Sequence, residues 1–395
     1  MIAFTTDIPT LCWGIGIILL AVAGSLVNPF FRRLRWPEEE GGAEQDGNEP
    51  AMEPETGKQA VAISVLLPVH EAQESLERHL EAFLTQDYRH YQVVVVAQKG
   101  DHATEDVLKR LRDKYGHLYY TMIPASSRYM SREKLQVTLG VKAAENEWII
   151  LSSPTCLPGR QWLNGMAAHL TEDRHIALGV VLLGEDADGY RRFRHIRTLY
   201  YLLRRAQRGT ALRTHMANVA FRKSDFIAGK GYLGSLQLVR GELDFLVNKY
   251  AEGTDCAVVL SPCAWLVEEG VTRKMSCDRE LYLMASSKYL RRMGSMKALR
   301  FLDALAPSLS LLVSAGTLAY AIYAGNWTLA LFAAIALLAL AVLRGIIAAK
   351  ATRRFDPTLR AMLMPLYELA LPWSRLACMW RYTHSDKTDF TSHKL

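Results

Sequence analysis

The chain has 395 residues, of which 50% are hydrophobic and 22% charged, with a formal net charge of +7. That length holds one domain of roughly 230–250 residues beside membrane elements, because single cores rarely grow further before splitting. So modest a charge speaks against a nucleic-acid binder, and the six cysteines form no CxxC pair, which speaks against a zinc site or a disulfide framework.

Residues 8–30 carry no charge and are long enough to span hydrocarbon as a helix. Asp7 precedes this run and Arg32, Arg33 and Arg35 follow it, an order that suits an anchor better than a cleaved signal peptide and places the next segment in the cytoplasm. We therefore read 1–36 as an N-terminal anchor. Residues 37–60 hold eight acids with several Gly and Pro and no aromatic, the composition of a flexible tether. From 61 the pattern turns to alternating strands and helices. Short apolar runs at 61–68, 93–96 and 149–151 read as strands buried on both faces. Helical spacing appears at 73–86, 104–115 and 133–145. Strands alternating with helices imply a mostly parallel sheet flanked by helices, with ligands bound beyond the carboxyl ends of the strands. The loops 69–75, 97–103 and 152–158 are then expected to face one crevice. Between 191 and 213, eight arginines interleave with apolar residues, an amphipathic basic helix suited to an anionic membrane surface. Apolar runs at about 305–324 and 327–349, joined by Gly325-Asn326 and flanked by basic residues, predict a membrane hairpin (301–350) with Arg344 snorkelling at its cytoplasmic end. Residues 359–382, broken by Pro365 and Pro372, read as an interfacial helix pair within a C-terminal segment 351–395.

Several pieces of 61–290 carry a resemblance. Ser64-Val-Leu-Leu-Pro-Val-His-Glu71, Gln86-Asp-Tyr88, Val93-Val-Val-Val96 and Thr104-Glu-Asp-Val-Leu108 resemble the opening of family-2 glycosyltransferases, which have the nucleotide-diphospho-sugar transferase (GT-A) fold. Ser127-Arg-Tyr-Met-Ser-Arg-Glu-Lys-Leu135, Gly140-Val-Lys-Ala-Ala144, Asn146-Glu-Trp148 and Val247-Asn248 followed by Ser287-Lys-Tyr289 resemble a membrane-bound bacterial branch of that family. The resemblance implies an α/β GT-A domain over 61–300. It also implies transfer of a sugar from a UDP- or GDP-linked donor to a lipid-linked or glycan acceptor at the inner leaflet of a bacterial cytoplasmic membrane, in cell-envelope polysaccharide synthesis.

The same resemblance marks where the chemistry belongs. Ser153 and Thr155 stand where the family carries an Asp-x-Asp for Mg²⁺ or Mn²⁺, and neutral hydroxyls are weak ligands for such hard cations. No metal site is assigned, and a divalent cation is implied only if activity is retained. Without one, the leaving diphosphate needs Lys or Arg, for which Lys134 and Arg128 are candidates. Where the family's nucleotide pocket has an acid after the second strand this chain has Ala97-Gln98, so Gln98, Glu71 and Asp101 are the groups left to meet the nucleotide. The general-base motif corresponds to Arg240-Gly-Glu-Leu-Asp244, with Leu243 at the central acid, leaving Glu242 or Asp244 as base. Arg279 lies near the place of the family's Gln-x-x-Arg-Trp. Two alternatives stay open beside the enzyme: an inactive scaffold that binds a partner glycosyltransferase, a nucleotide sugar or a lipid, and a membrane-surface adaptor that uses the basic helix. No nucleic-acid partner is indicated.

Overall fold

The computed structural model describes residues 7–36, 61–70, 72–124, 130–209, 211–251, 256–386 and 390. The acidic tether, Glu71 and Arg128 lie outside the described residues. The chain divides into two compact units. One, the helical unit, is Met1–Arg33, Gly189–Tyr201 and Arg292–His384; the other, the sheet unit, is Leu34–Asp188, Leu202–Arg291 and Ser385–Leu395.

The sheet unit is built on seven strands. They are β1 (Ile63–Pro68), β2 (Tyr91–Gln98), β3 (Leu118–Ile123), β4 (Trp148–Ser152), β6 (Ile176–Leu178), β8 (Asn218–Arg222) and β9 (Cys256–Val258), in the spatial order β3-β2-β1-β4-β8-β6-β9. The first four in that order run parallel, β8 is antiparallel to both neighbours, and β6 pairs parallel with β9. The apolar runs read as strands are the centre of this sheet, and their side chains are buried on both faces because helices cover both. A second sheet of three strands sets β10 (Leu266–Glu268) between β5 (Cys156–Pro158) and β7 (Val181–Leu183). The expected α/β class, a mostly parallel sheet with flanking helices, is what the chain adopts.

The helix Arg132–Ala143 approaches the sheet very closely. A Cβ on Gly140 would lie 2.1 Å from a Leu66 methyl, so only glycine permits the contact. That proximity lets the buried Gln136 amide donate to the Val69 and Val96 carbonyls, pinning the start of the helix to the carboxyl ends of β1 and β2. Farther along, Trp162 is fully buried, stacks edge-on to Phe83 at 5.5 Å and donates to Asn218, which in turn donates to the Val180 and Ala264 carbonyls. These contacts fix the loop between β4 and the helix Trp162–Ala167.

Among the described residues, three helices of the helical unit are long and apolar enough to cross a membrane, Ile8–Leu26, Gly294–Tyr323 and Trp327–Thr352. Ile17 and Ala21 pack on Ala333, Ala336 and Leu340. Among these helices lies a buried ion network. Arg197 donates to both oxygens of Asp303 (2.7 and 2.6 Å) and to Glu368 (2.6 Å), and Arg344 donates to the second Glu368 oxygen (2.9 and 2.6 Å). Three expectations change here. Arg344 is only 3% exposed and does not snorkel: besides Glu368 it caps the Gly24 and Val27 carbonyls at the end of the first helix. The basic helix, Gly189–Ala206, is no uniform charged face, since Arg197 is buried in the network and Arg192 pairs with Asp356 at 3.3 Å. Finally, the proline-broken segment forms a 3₁₀ turn (Ala361–Leu363) and one helix, Met364–His384. Pro365 sits in its first turn, where its missing N–H costs nothing, and Pro372 lies inside.

Candidate functional site

The carboxyl ends of β1, β2 and β4 and the start of Arg132–Ala143 lie along one edge of the parallel sheet, as the βαβ pattern requires. Two clusters of polar side chains stand there, both in the sheet unit.

The first is organised around the Ser153-Pro154-Thr155 loop after β4. The two hydroxyls bond each other at 2.8 Å, and Thr155 Oγ1 donates to Glu268 Oε1 at 3.4 Å. Glu268 closes β10 and is gripped by Arg279 from the helix Arg273–Ser286, with Nη2 to Oε1 at 2.7 Å and Nη1 to Oε2 at 2.9 Å. Next to it, His79 bridges the Pro154 carbonyl (3.0 Å) and Glu269 (3.1 Å), and the Glu269 N–H donates to Thr155 O. Ser153, Thr155 and Arg279 are thus brought together as the sequence suggests. Glu268, which joins them, was not legible: it is more than a hundred residues from Thr155, and only the pairing of β10 with β5 places it there.

The resembled family carries a divalent cation at this loop, expected here only if activity is retained, and the residues present do not fit one. A hard cation wants several oxygen ligands with charged ones among them. The two hydroxyls are engaged with each other, and the one carboxylate bonded to this pair has both oxygens in a guanidinium fork. Among the described residues there is no group of three or more His, Cys, Asp or Glu able to hold a metal ion.

The second cluster centres on Glu242, the first residue of the helix Glu242–Tyr250. Gly241 precedes it with φ +98°, a left-handed turn, and a Cβ there would also come within 3.0 Å of Phe245. Glu242 lies beside Glu133 from the start of Arg132–Ala143, and each carboxyl has one buried oxygen with no hydrogen-bond partner. Burial, and then repulsion from Glu133, pushes the Glu242 carboxyl up to about 8. Arg240 approaches Glu133 at 3.9 Å and stacks over Tyr282 at 4.7 Å. Tyr232, whose buried hydroxyl has no partner, feels the charge of both carboxylates, and the field of Glu242 also reaches Arg279.

Other expected groups are committed elsewhere. Asp244 is 3% exposed; both its oxygens are held by Arg213 (Nε to Oδ1 at 2.9 Å, Nη2 to Oδ2) and Oδ2 also by Ser286. Three of its roughly four acceptor sites are filled by these interior donors, so the group is committed to a structural contact. Lys134 is fully buried, donates to the Ser235 and Leu238 carbonyls and lies over the Phe245 ring at 5.2 Å, and burial brings its amine down to about 8. Its amine faces the interior, within the field of Glu242 and Glu133. Asp101 caps the helix His102–Lys114 by accepting from Thr104. Gln98, at the end of β2, accepts from Arg132 at 3.4 Å.

Residues 33–190 match the model of Glycosyl transferase family 21, where the sequence motifs resemble family 2. No characterised protein compared by sequence matches the chain. Solved structures with a similar chain path include a mannosyltransferase, PcManGT, from Pyrobaculum calidifontis in complex with GDP-Man and Mn²⁺, with 16% identity over 94% of this chain and 97% of that one (TM-score 0.46). Another is S. aureus TarS 1–349 in complex with UDP-GlcNAc, at 12% identity over 80% and 92% (TM-score 0.43). These likenesses are remote, and the reading of the site rests on its own residues.

Proposed function

We propose that the sheet unit transfers a glycosyl group from a nucleoside-diphosphate sugar to an acceptor hydroxyl, with Glu242 as general base. The observation that carries this reading is the Glu133–Glu242 pair. Two half-buried carboxyls, each with one buried oxygen that no hydrogen bond meets, are costly to keep, and they stand at the carboxyl edge of the sheet in a chain whose residues 33–190 match a glycosyltransferase family model. In the reaction, the Glu242 carboxylate takes the acceptor proton and the acceptor oxygen bonds to the anomeric carbon. The bond from that carbon to the phosphate oxygen breaks, and the diphosphate leaves with the electron pair from the opposite face, so the configuration inverts. Glu133 acts by setting the affinity of Glu242 for its proton.

The acceptor is proposed to be a lipid-linked or glycan hydroxyl at the cytoplasmic face of a bacterial inner membrane, in envelope polysaccharide assembly. Three helices able to span a bilayer support membrane association. A cavity of about 310 Å³ supports an acceptor with an apolar part; Val141, Phe226 and Leu233 line it, and Tyr232 is common to it and the carboxyl pair. The competing scaffold reading draws on Ala97 and Leu243, apolar residues where the resembled family keeps acids. The test is release of UDP or GDP from UDP- and GDP-sugars by the purified full chain supplied with bacterial lipid extract. Release that disappears in Glu242→Gln supports transfer. Nucleotide binding with no release from any donor would establish the scaffold.

A further inference from the structure

Arg279 and a divalent cation would compete for the same two oxygens. A cation ligated by Glu268 needs to sit about 2.0–2.6 Å from those oxygens, in the space that the Arg279 nitrogens hold at 2.7 and 2.9 Å. The guanidinium therefore occupies the place in which the resembled family positions its metal charge. It is also unsaturated. Of its five N–H donors, the end-on grip on Glu268 uses two, and the remaining three lie on the flanks of the group, whose side chain is 27% exposed. A planar fork of this kind matches paired phosphate oxygens well.

We infer that a diphosphate bound at this edge is countered by the Arg279 guanidinium and not by a divalent cation, with Glu268 as the residue that positions it. The inference rests on the glycosyl-transfer reading above and names how that site holds its donor. Glu268 is itself fixed on both sides. Its carbonyl accepts from the Gly184 N–H at 2.9 Å, and its carboxylate accepts from Thr155, so the orientation of the guanidinium plane is set before any ligand arrives. Ser153 and Thr155 then serve as neutral hydroxyls that neither hold a cation nor repel an anion.

The experiment is calorimetric titration of the full chain in detergent with UDP and with GDP, once in EDTA and once in excess Mn²⁺. The expected result is that whichever nucleotide binds does so with the same Kd, within about twofold, in both conditions. Arg279→Ala should weaken binding in EDTA by about tenfold or more, and Mn²⁺ should recover part of the loss because the guanidinium no longer covers the Glu268 oxygens. Because that variant also removes a partner of Glu268, Glu268→Gln provides a second arm. A positioning residue allows it to keep binding within about threefold in both conditions, whereas loss of a metal ligand would abolish a gain that Mn²⁺ gives the wild type. Wild-type binding that needs Mn²⁺ by tenfold or more overturns the inference and leaves glycosyl transfer standing. No binding of either nucleotide in either condition overturns both.

Discussion

In the helical unit, all four carboxylate oxygens of Asp303 and Glu368 accept from guanidinium groups, with Asn28 as a further donor. In the sheet unit, Glu133 and Glu242 each bury an oxygen with no hydrogen-bond partner. Both arrangements take carboxyl oxygens out of water, which carries a cost. They differ in what the cost achieves. A network in which each carboxylate oxygen is met ties helices together and has little left to offer a ligand. A pair left short holds capacity for a proton or a substrate. Two positions in one helix repeat the contrast, since Asp244 is consumed by Arg213 and Ser286 while Glu242, one turn-face away, is not.

The strongest way to break this comparison is to remove a satisfied charge. Glu368→Ala leaves the buried Arg197 and Arg344 with Asp303 as their one shared carboxylate, and should cost about 3–5 kcal/mol, read as a lowered thermal midpoint of the detergent-solubilised protein. If the midpoint holds, the network is not structural. Glu242→Gln should do the reverse. Turnover is expected to fall about 10²–10⁴-fold, while the midpoint at neutral pH stays level because Glu242 already holds its proton there. Next in size is a pH effect. The base form of Glu242 grows as pH rises through about 8, so the rate should rise there, and Glu133→Gln should move that inflection to lower pH. An unmoved inflection would mean that the two carboxyls do not interact.

Stability itself should follow pH in a predictable sense. The folded chain keeps the Glu242 proton that the unfolded chain releases in the ordinary glutamate range, so this group makes stability fall as pH rises from that range to about 8. Lys134 acts oppositely: its folded amine gives up a proton near 8 that the unfolded chain keeps to the ordinary lysine range, so stability recovers above 8. Denaturation midpoints measured across pH should show the fall vanish in Glu242→Gln and the recovery vanish in Lys134→Met. The smallest effect is expected at the exposed Glu105–Lys109 pair, 3.0 Å apart one helical turn from each other, where Lys109→Ala should leave the midpoint unchanged.

The central sheet was legible in the sequence because parallel strands buried on both faces have to be continuous apolar runs, and Val93-Val-Val-Val96 can be little else. β3 escaped notice. At the edge of the sheet its Tyr119 is exposed and its pattern mixed, so neither periodicity was clear. Ser153, Thr155, Arg279 and Glu242 were found by their place in a motif. Glu268 and Glu133 were not, because what makes them matter is a neighbour distant in sequence. The arginine-rich helix misled for a related reason: spacing shows that arginines share a face, but not that Asp303 and Glu368 wait opposite one of them.

Arg344 has a consequence for how the chain is made. The carbonyl of Gly24 that it caps was synthesised 320 residues earlier. The first apolar helix therefore leaves the ribosome, and can enter a bilayer, long before the cation that neutralises its carboxyl end exists. Glu368, which holds that cation in place, arrives later still. Assembly of the helical unit thus has a built-in last step, and a chain released before that point would carry an open seam that marks it as unfinished.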